Sequence, residues 1–293
     1  MAQHGLLKVS GGHVVDKNGQ PVQLKGMSLF WSQWSSDSYN ASLVKTLAKD
    51  WHGSLIRAAM GIENDGGYLE NAAAQKALVK TVVEAATAEG IYVIIDWHDH
   101  NATQHTQLAK DFFTEMAKTY GNRENVLFEV FNEPDKESWG EVKSYAETVL
   151  GAIRGAGAQN VVIVGSPNWS QDVDVASKDP VKGENIAYTL HFYANTHRQS
   201  LRDKASVAIK AGLALFSTEW GTCDASGAGS IDLTETQKWL DFYNTNKISW
   251  ANWSLFNKDE ACSALVPSAG LNGGWSDSDL TPSGKFVKQK IGE

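Results

Sequence analysis

Residues 91–131 read IYVIIDWHDHNATQHTQLAKDFFTEMAKTYGNRENVLFEVF, and this stretch decides the fold. It opens on an apolar run, Ile91–Trp97, interrupted by Asp96, too short for a helix core and rich in β-branched residues, which reads as a buried strand. Leu108, Phe112, Phe113, Met116 and Tyr120 then recur at helical spacing. Gly121 stands where a helix would end, and Val126–Phe131 is a second buried strand. Two buried strands joined by a helix form a parallel unit with a right-handed crossover.

Outward from it the same unit repeats. Runs at Val22–Gly26, Leu55–Ala59, Val161–Gly165, Ile186–Phe192, Leu213–Thr218 and Ile248–Ser254 bring the number of strands to eight. The helical set Leu78, Val79, Val82, Val83 and Ala86, closed by Gly90, lies between two of them; Thr234 with Gln237 reads as a capping box opening another helix. Eight units at roughly 30-residue spacing predict an α/β fold closed as a (β/α)8 TIM barrel, with a doubly wound open sheet as runner-up. Ahead of the first unit, Leu7–Val9, His13–Val15 and a return at Val22–Leu24 around Asp16-Lys17-Asn18-Gly19 predict an N-terminal β-hairpin that closes the barrel bottom. No linker, repeat or low-complexity tract interrupts the chain, so residues 1–293 are expected to form a single domain.

Composition narrows the function. The formal charge is −8 and no run of Lys or Arg appears, which argues against nucleic acid as a partner. No apolar run approaches the roughly 20 residues of a membrane span, and Met1 to Val9 lacks the apolar core of a signal peptide. Eleven tryptophans is a high count. Many sit beside Asn, Ser, Gly or Asp, as in the walls of a sugar-binding cleft, and about half are expected in the core. Cys223 and Cys262 fit no zinc spacing; a disulfide and two buried thiols are equally open readings.

In an eight-fold barrel, functional residues gather where strands end and βα loops begin. The strand ends offer Arg57, His98, Asn132-Glu133-Pro134, His191, Tyr193, Glu219-Trp220 and Asn252-Trp253. Glu133 and Glu219 close the fourth and seventh strands. Two carboxyl groups flanking a bond, roughly 5–5.5 Å apart for retention, are what glycoside hydrolysis requires. The pair is expected to raise the pKa of Glu133 through burial and the charge of Glu219, while Arg57 keeps Glu219 ionised. A lone Glu after a strand would read as a helix N-terminal charge; two together, one inside Asn-Glu-Pro, read as chemistry. His98-Asp99-His100 also suggests a zinc site, but later strand ends supply too few further ligands, and His98 reads better as a hydrogen-bonding wall residue.

As an ordered set these residues resemble glycoside hydrolase family five, the cellulase family. The resemblance runs through Leu-Lys-Gly-Met-Ser at 24–28, Ile-Arg-Ala-Ala-Met at 56–60, Val-Ile-Ile-Asp-Trp-His at 93–98 and Phe-Glu-Val-Phe-Asn-Glu-Pro at 128–134. It continues in His-Phe-Tyr at 191–193, Ser-Thr-Glu-Trp-Gly at 217–221 and Trp-Ala-Asn-Trp-Ser at 250–254. It implies a retaining endo-β-1,4-glucanase of the bacterial branch, with Glu133 as proton donor and acid/base and Glu219 as nucleophile. Arg57, His98, Asn132, His191, Tyr193 and Trp253 would line the central subsite; Trp34, Trp169, Ala225, Lys258 and Glu260 would contact glucan further out. The partner implied is a β-1,4-glucan chain, with no cofactor and no metal. The resemblance also implies a secreted, mature, monomeric enzyme without its signal peptide, and gives weight to a Cys223–Cys262 disulfide on adjacent loops. Where many relatives carry His and Tyr, this chain has Phe30 and Gly61, so the resemblance does not extend to the outermost non-reducing-side subsites. A mannan- or xyloglucan-cleaving relative, a non-catalytic carbohydrate-binding barrel and a metal hydrolase on His98 and His100 are the competing readings.

Overall fold

The computed structural model describes residues 4–293. Residues 1–3, which belong to the expected span and to the leader reading of Met1 to Val9, lie outside the described residues.

Two short strands, β1 (Lys8–Ser10) and β2 (His13–Val15), form an antiparallel hairpin. The barrel strands follow as β3 (Lys25–Ser28), β4 (Leu55–Gly61), β5 (Tyr92–His98), β6 (Val126–Glu129), β7 (Val162–Val164) and β8 (Ile186–Thr189). A two-residue strand β9 (Phe192–Tyr193), then β10 (Leu215–Gly221) and β11 (Ser249–Trp253), complete the set. Neighbours pair in parallel from β3 to β8, β8 pairs β10, β10 pairs β11 and β11 pairs β3, so the sheet closes on itself. The open-sheet alternative is excluded by that last pairing.

Helices cross between strands: α1 (Ala41–Lys49), α2 (Tyr68–Glu89), α3 (Thr106–Tyr120) and α4 (Trp139–Gly155), short turns α5 (Pro167–Ser170) and α6 (Val173–Ala176), then α7 (Gln199–Lys210), α8 (Leu233–Asn246) and α9 (Pro282–Gly292). Helix α3 buries Phe112, Phe113, Met116 and Tyr120, the face read from spacing. Gly90 ends α2 with φ 75°, as a left-handed cap requires. Gly121 corrects its reading: φ is −64°, and the reason for glycine is that a Cβ there would meet Ala117 O and Ala158 Cβ. The cap of α8 is Asp232, whose carboxylate accepts from Glu235 N–H at 2.8 Å, rather than the Thr234–Gln237 pair.

Side chains alternate across each strand, and the lumen residues sort into two layers. At the bottom, Leu55, Tyr92, Ile94, Leu127, Ile163, Ala187, Phe216 and Ala251 pack with Leu7, Val14, Val22 and Leu24 of the N-terminal segment. The hairpin thus plugs the bottom, fastened by Tyr92 Oη donating to Gly5 O at 2.6 Å. Two residues further along the same strands the lumen turns polar, with Arg57, Asp96, Glu129 and Thr189 all fully buried. An apolar floor under a charged layer is what positions the site.

Candidate functional site

Arg57 holds the charged layer together. From β4 its guanidinium reaches Asp96 on β5 at 2.8 Å, Glu129 on β6 at 2.8 Å and Glu219 on β10 at 2.9 Å, all nearly or fully buried. Register explains the meeting: Ala59 pairs Asp96 and Asp96 pairs Glu129 on adjacent strands. One cation shared by three carboxyls cannot offset the burial of all three. Burial pushes Asp96 and Glu129 each up to about 7 against the pull of Arg57, while the same carboxylates push the guanidinium above its usual range despite its own burial.

Glu219 reaches the lumen through a bulge. Along β10, Ser217 pairs Trp250 and Trp220 pairs Asn252, so β10 carries one residue more than β11 over this stretch. The extra residue breaks strict alternation and turns two consecutive side chains, Thr218 and Glu219, inward. Glu219 Oε2 then accepts from Arg57 and Oε1 from Tyr193 Oη at 2.7 Å. Burial and the charge of Glu219 hold the Tyr193 phenol well above its ordinary range, so it remains a donor.

Glu133 follows β6 and meets two histidines: Oε1 lies 2.8 Å from His191 Nδ1, and Oε2 lies 3.2 Å from His100 Nε2. His191 Nε2 is 2.9 Å from Thr218 Oγ1, which donates to Glu129 Oε1 at 2.7 Å. A hydrogen-bonded chain therefore runs from Glu133 through His191, Thr218, Glu129 and Arg57 to Glu219. A carboxylate oxygen of Glu133, a ring nitrogen of His191 and a carboxylate oxygen of Glu219 all lie within 4.8 Å of one another. Burial pushes Glu133 up, but the bonds from His100 and His191 outweigh it and the net direction is down. The rise expected from burial is thus opposed in the free protein by the two histidines, and both histidines are raised against their own burial by contact with Glu133.

The other expected residues gather around this pair. Asn132 Oδ1 accepts from Arg57 at 2.6 Å, leaving its buried Nδ2 without a partner and free for a ligand hydroxyl. His98 stacks on Trp253 with centroids 5.3 Å apart and 3° between planes, and its Nδ1 contacts Asp96 at 2.7 Å. Burial and Arg57 hold His98 well below its ordinary pKa, so it is neutral. On one side of the pair an aromatic wall contains Phe30, Trp31, Trp34 and Trp253, with Lys258 Nζ 5.2 Å above the Phe30 ring and 2.7 Å from Glu260. On the other side, Trp169, His191, Tyr193, Gln171 and Ala225 line a cavity of about 490 Å³ that opens onto Glu133. Phe30 also stacks on Phe256. At Gly61, a Cβ would strike the Gln33 side chain, so Gln33 occupies the room a larger residue would use.

Cys223 and Cys262 are joined in a disulfide with Cα atoms 5.4 Å apart, tying the loop after β10 to the loop after β11. The zinc reading is not supported by geometry: His98 and His100 each turn to a different carboxylate, and their centroids stand 6.4 Å apart. Among the described residues, the groups with three ligand atoms in reach of one ion are Glu133–His191–Glu219 and Glu63–Asp99–His105. In the second, Asp99 already accepts from Trp97 Nε1 and faces His105 Nδ1 at 2.8 Å.

Strand-end reading missed several groups. Trp31, His100, Thr218, Asp96 and Glu129 all touch the site; all but Trp31 lay in stretches that the sequence singles out, yet none was assigned a role in catalysis. The tryptophans are also more internal than expected: Trp51, Trp97, Trp139, Trp220, Trp239, Trp250 and Trp275 are buried away from the cleft, whereas Trp34 and Trp169 are about half exposed.

The profile described as Cellulase (glycosyl hydrolase family 5) matches residues 15–259. The chain is 48% identical to an endoglucanase of Clostridium saccharobutylicum, over 98% of this chain and 65% of that protein. It is 49% identical to endoglucanase Z of Dickeya dadantii, over 91% of this chain and 62% of that one, so it spans less than two thirds of either relative. Among solved structures, the catalytic domain of Thermobifida fusca endoglucanase Cel5A superposes with a TM-score of 0.96 at 33% identity, covering 100% of this chain and 99% of that domain. A structure from Cytophaga hutchinsonii gives 0.97 at 50% identity, covering 99% and 95%. A variant of the Thermobifida domain has been solved in complex with cellotetraose. With its closed barrel, its two facing carboxylates and this profile match, the chain belongs to glycosyl hydrolase family 5, the cellulase family.

Proposed function

We propose that this chain is the catalytic unit of a retaining endo-β-1,4-glucanase, with Glu219 as nucleophile and Glu133 as acid/base. The observation that carries the proposal is the approach of the two carboxylates within 4.8 Å across the open face of the barrel. That spacing suits double displacement and leaves no room for a water between them, which inversion would need. Endoglucanases at 48% and 49% identity support the glucan as substrate.

In the first step a Glu219 oxygen attacks the anomeric carbon while Glu133 gives its proton to the glycosidic oxygen; the C–O bond breaks and the leaving chain departs neutral. In the second, Glu133 takes a proton from water, the water oxygen attacks the same carbon, and Glu219 leaves as carboxylate. Two inversions give retention. Tyr193 and Arg57 fix the nucleophile by one bond to each oxygen. Asn132 Nδ2 is the donor available to the sugar 2-hydroxyl, where contact strengthens as charge develops at the anomeric carbon. Trp253 forms the floor, and Trp34, Lys258 and Glu260 grip glucosyl units on the non-reducing side. Trp169 and Ala225 bound the leaving-group side.

The described chain acts in this reading as one catalytic domain, monomeric and outside the cell. The Cys223–Cys262 bond suits an oxidising compartment, and no helix among the described residues is long and apolar enough to cross a membrane. The test is hydrolysis of soluble cellulose, mannan and xyloglucan derivatives by wild type and Glu219→Gln, following viscosity and reducing ends together. The reading expects a rapid viscosity fall on the cellulose derivative, lost in the variant. Binding to glucan without release of reducing ends would favour the carbohydrate-binding barrel instead.

A further inference from the structure

Asn168, Trp169 and Ser170 have φ of 58°, 54° and 56°. Three consecutive L residues in the left-handed region crowd each Cβ against the following carbonyl, so such a turn persists only where its surroundings over-determine it. Here the surroundings are the segment that carries Glu133. Trp169 N–H donates to Pro134 O at 2.9 Å, and the buried Ser170 hydroxyl donates to Asn132 O at 2.8 Å. Ser170 O in turn accepts from His191 N–H at 3.0 Å. Just before the turn, a Cβ on Gly165 would sit 2.5 Å from Phe131 O and 2.8 Å from Pro134 Cδ, so this chain approaches the same segment backbone to backbone.

The opposite flank is held more loosely. Asn132 N–H reaches Trp97 O at 3.3 Å and Glu133 N–H reaches Asp99 O at 3.4 Å, both long for amide bonds. The short bonds to the Asn132–Pro134 backbone therefore come from the left-handed turn. That one turn also carries the half-exposed Trp169 indole and restrains the histidine bonded to Glu133.

We propose that Ser170 is a positioning residue for Glu133: its left-handed turn makes the acid and the Trp169 leaving-group platform one rigid unit. A sugar docked on Trp169 then presents the glycosidic oxygen at a fixed distance from the Glu133 proton, a geometry on which protonation rates depend steeply. The inference rests on Glu133 being the acid/base.

Ser170→Gly and Ser170→Ala remove the hydroxyl, and the glycine variant also relieves the φ strain, which protects the fold. Cellotetraose requires protonation of its leaving group; 2,4-dinitrophenyl cellobioside does not. With both variants, kcat/KM on cellotetraose should fall about 10-fold, a fraction of what general acid catalysis supplies. On the dinitrophenyl substrate kcat/KM, which reports glycosylation before Glu133 acts as base, should stay within about twofold, and the dependence of kcat/KM on leaving-group acidity across aryl cellobiosides should steepen. Equal losses on both substrates, or no loss on either, overturn the proposal. Glu133→Ala run alongside separates the two levels. If it lacks leaving-group dependence, the acid/base reading has failed; if it shows that dependence and the Ser170 variants do not, only the positioning role has failed.

Discussion

Replacing Glu129 with Gln should change how the stability of this protein depends on pH. The Glu129 carboxyl is wholly buried, 2.8 Å from Arg57 and 2.7 Å from Thr218 Oγ1, with Asp96 sharing the same guanidinium and His191 Nε2 4.0 Å away. Burial pushes it from its ordinary 4.5 up to about 7. Between those values the folded chain keeps a proton that the unfolded chain has released. The stabilisation is complete below pH 4.5 and is lost as pH rises through 7. At about 1.4 kcal/mol per pH unit the loss across this window is about 3 kcal/mol. For a chain of this length that is roughly 5 °C in Tm. Gln keeps the size and a hydrogen-bonding head but cannot ionise. Asp96, also pushed up to about 7, shares Arg57 with Glu129, so the difference between the two proteins reads Glu129 together with its coupling to Asp96. Urea denaturation at intervals from pH 4.5 to 8, with the disulfide intact, should show wild type losing about 3 kcal/mol more than E129Q. Parallel stability curves for the two proteins would refute the reasoning, because Glu129 would then be ionised in the fold throughout.

Tyr193→Phe removes a hydrogen bond of 2.7 Å to a carboxylate, and bonds to charged groups contribute about 1.5–3 kcal/mol, so kcat/KM on an aryl cellobioside should fall about 10- to 100-fold with Tm little changed. Cys223→Ser with Cys262→Ser opens a loop whose ends are 39 residues apart; loop entropy predicts a loss of about 4 kcal/mol in denaturant unfolding, and reduction of the wild type should match it. Arg57→Met leaves three buried carboxyls without their cation and should cost about 3–5 kcal/mol, read as a large fall in Tm along with loss of turnover.

The barrel was legible because its units are regular: short apolar, β-branched runs alternate with helices of period 3.6, and glycines mark several joints. The polar upper layer was legible in part. Arg57, Glu133 and Glu219 stand at strand ends, where chemistry is expected in this architecture. What the pattern could not show was partnership across strands. Glu129 lies inside an apolar run and reads as an oddity until the register sets it beside Asp96 and Arg57. Thr218 and Glu219 cannot both face the lumen in a regular strand, and the bulge that allows it leaves no local signature in Phe-Ser-Thr-Glu-Trp. His100 had only a disfavoured metal reading beside His98, because spacing alone does not say which way a loop turns; the loop turns it onto Glu133. The tryptophans misled in the opposite sense, since polar neighbours in sequence are not polar neighbours in space.

The central claim is that Glu219 forms a covalent bond to the sugar. Incubation with a 2-deoxy-2-fluoro cellobioside bearing a good leaving group, followed by intact-mass measurement and peptide mapping, tests it directly. The fluorine slows both steps, and the good leaving group lets the intermediate accumulate. The account predicts a single fluorocellobiosyl adduct on the peptide carrying Glu219, released on return to buffer with an acceptor sugar. Turnover of the parent cellobioside without any adduct, or an adduct on another residue, would contradict it.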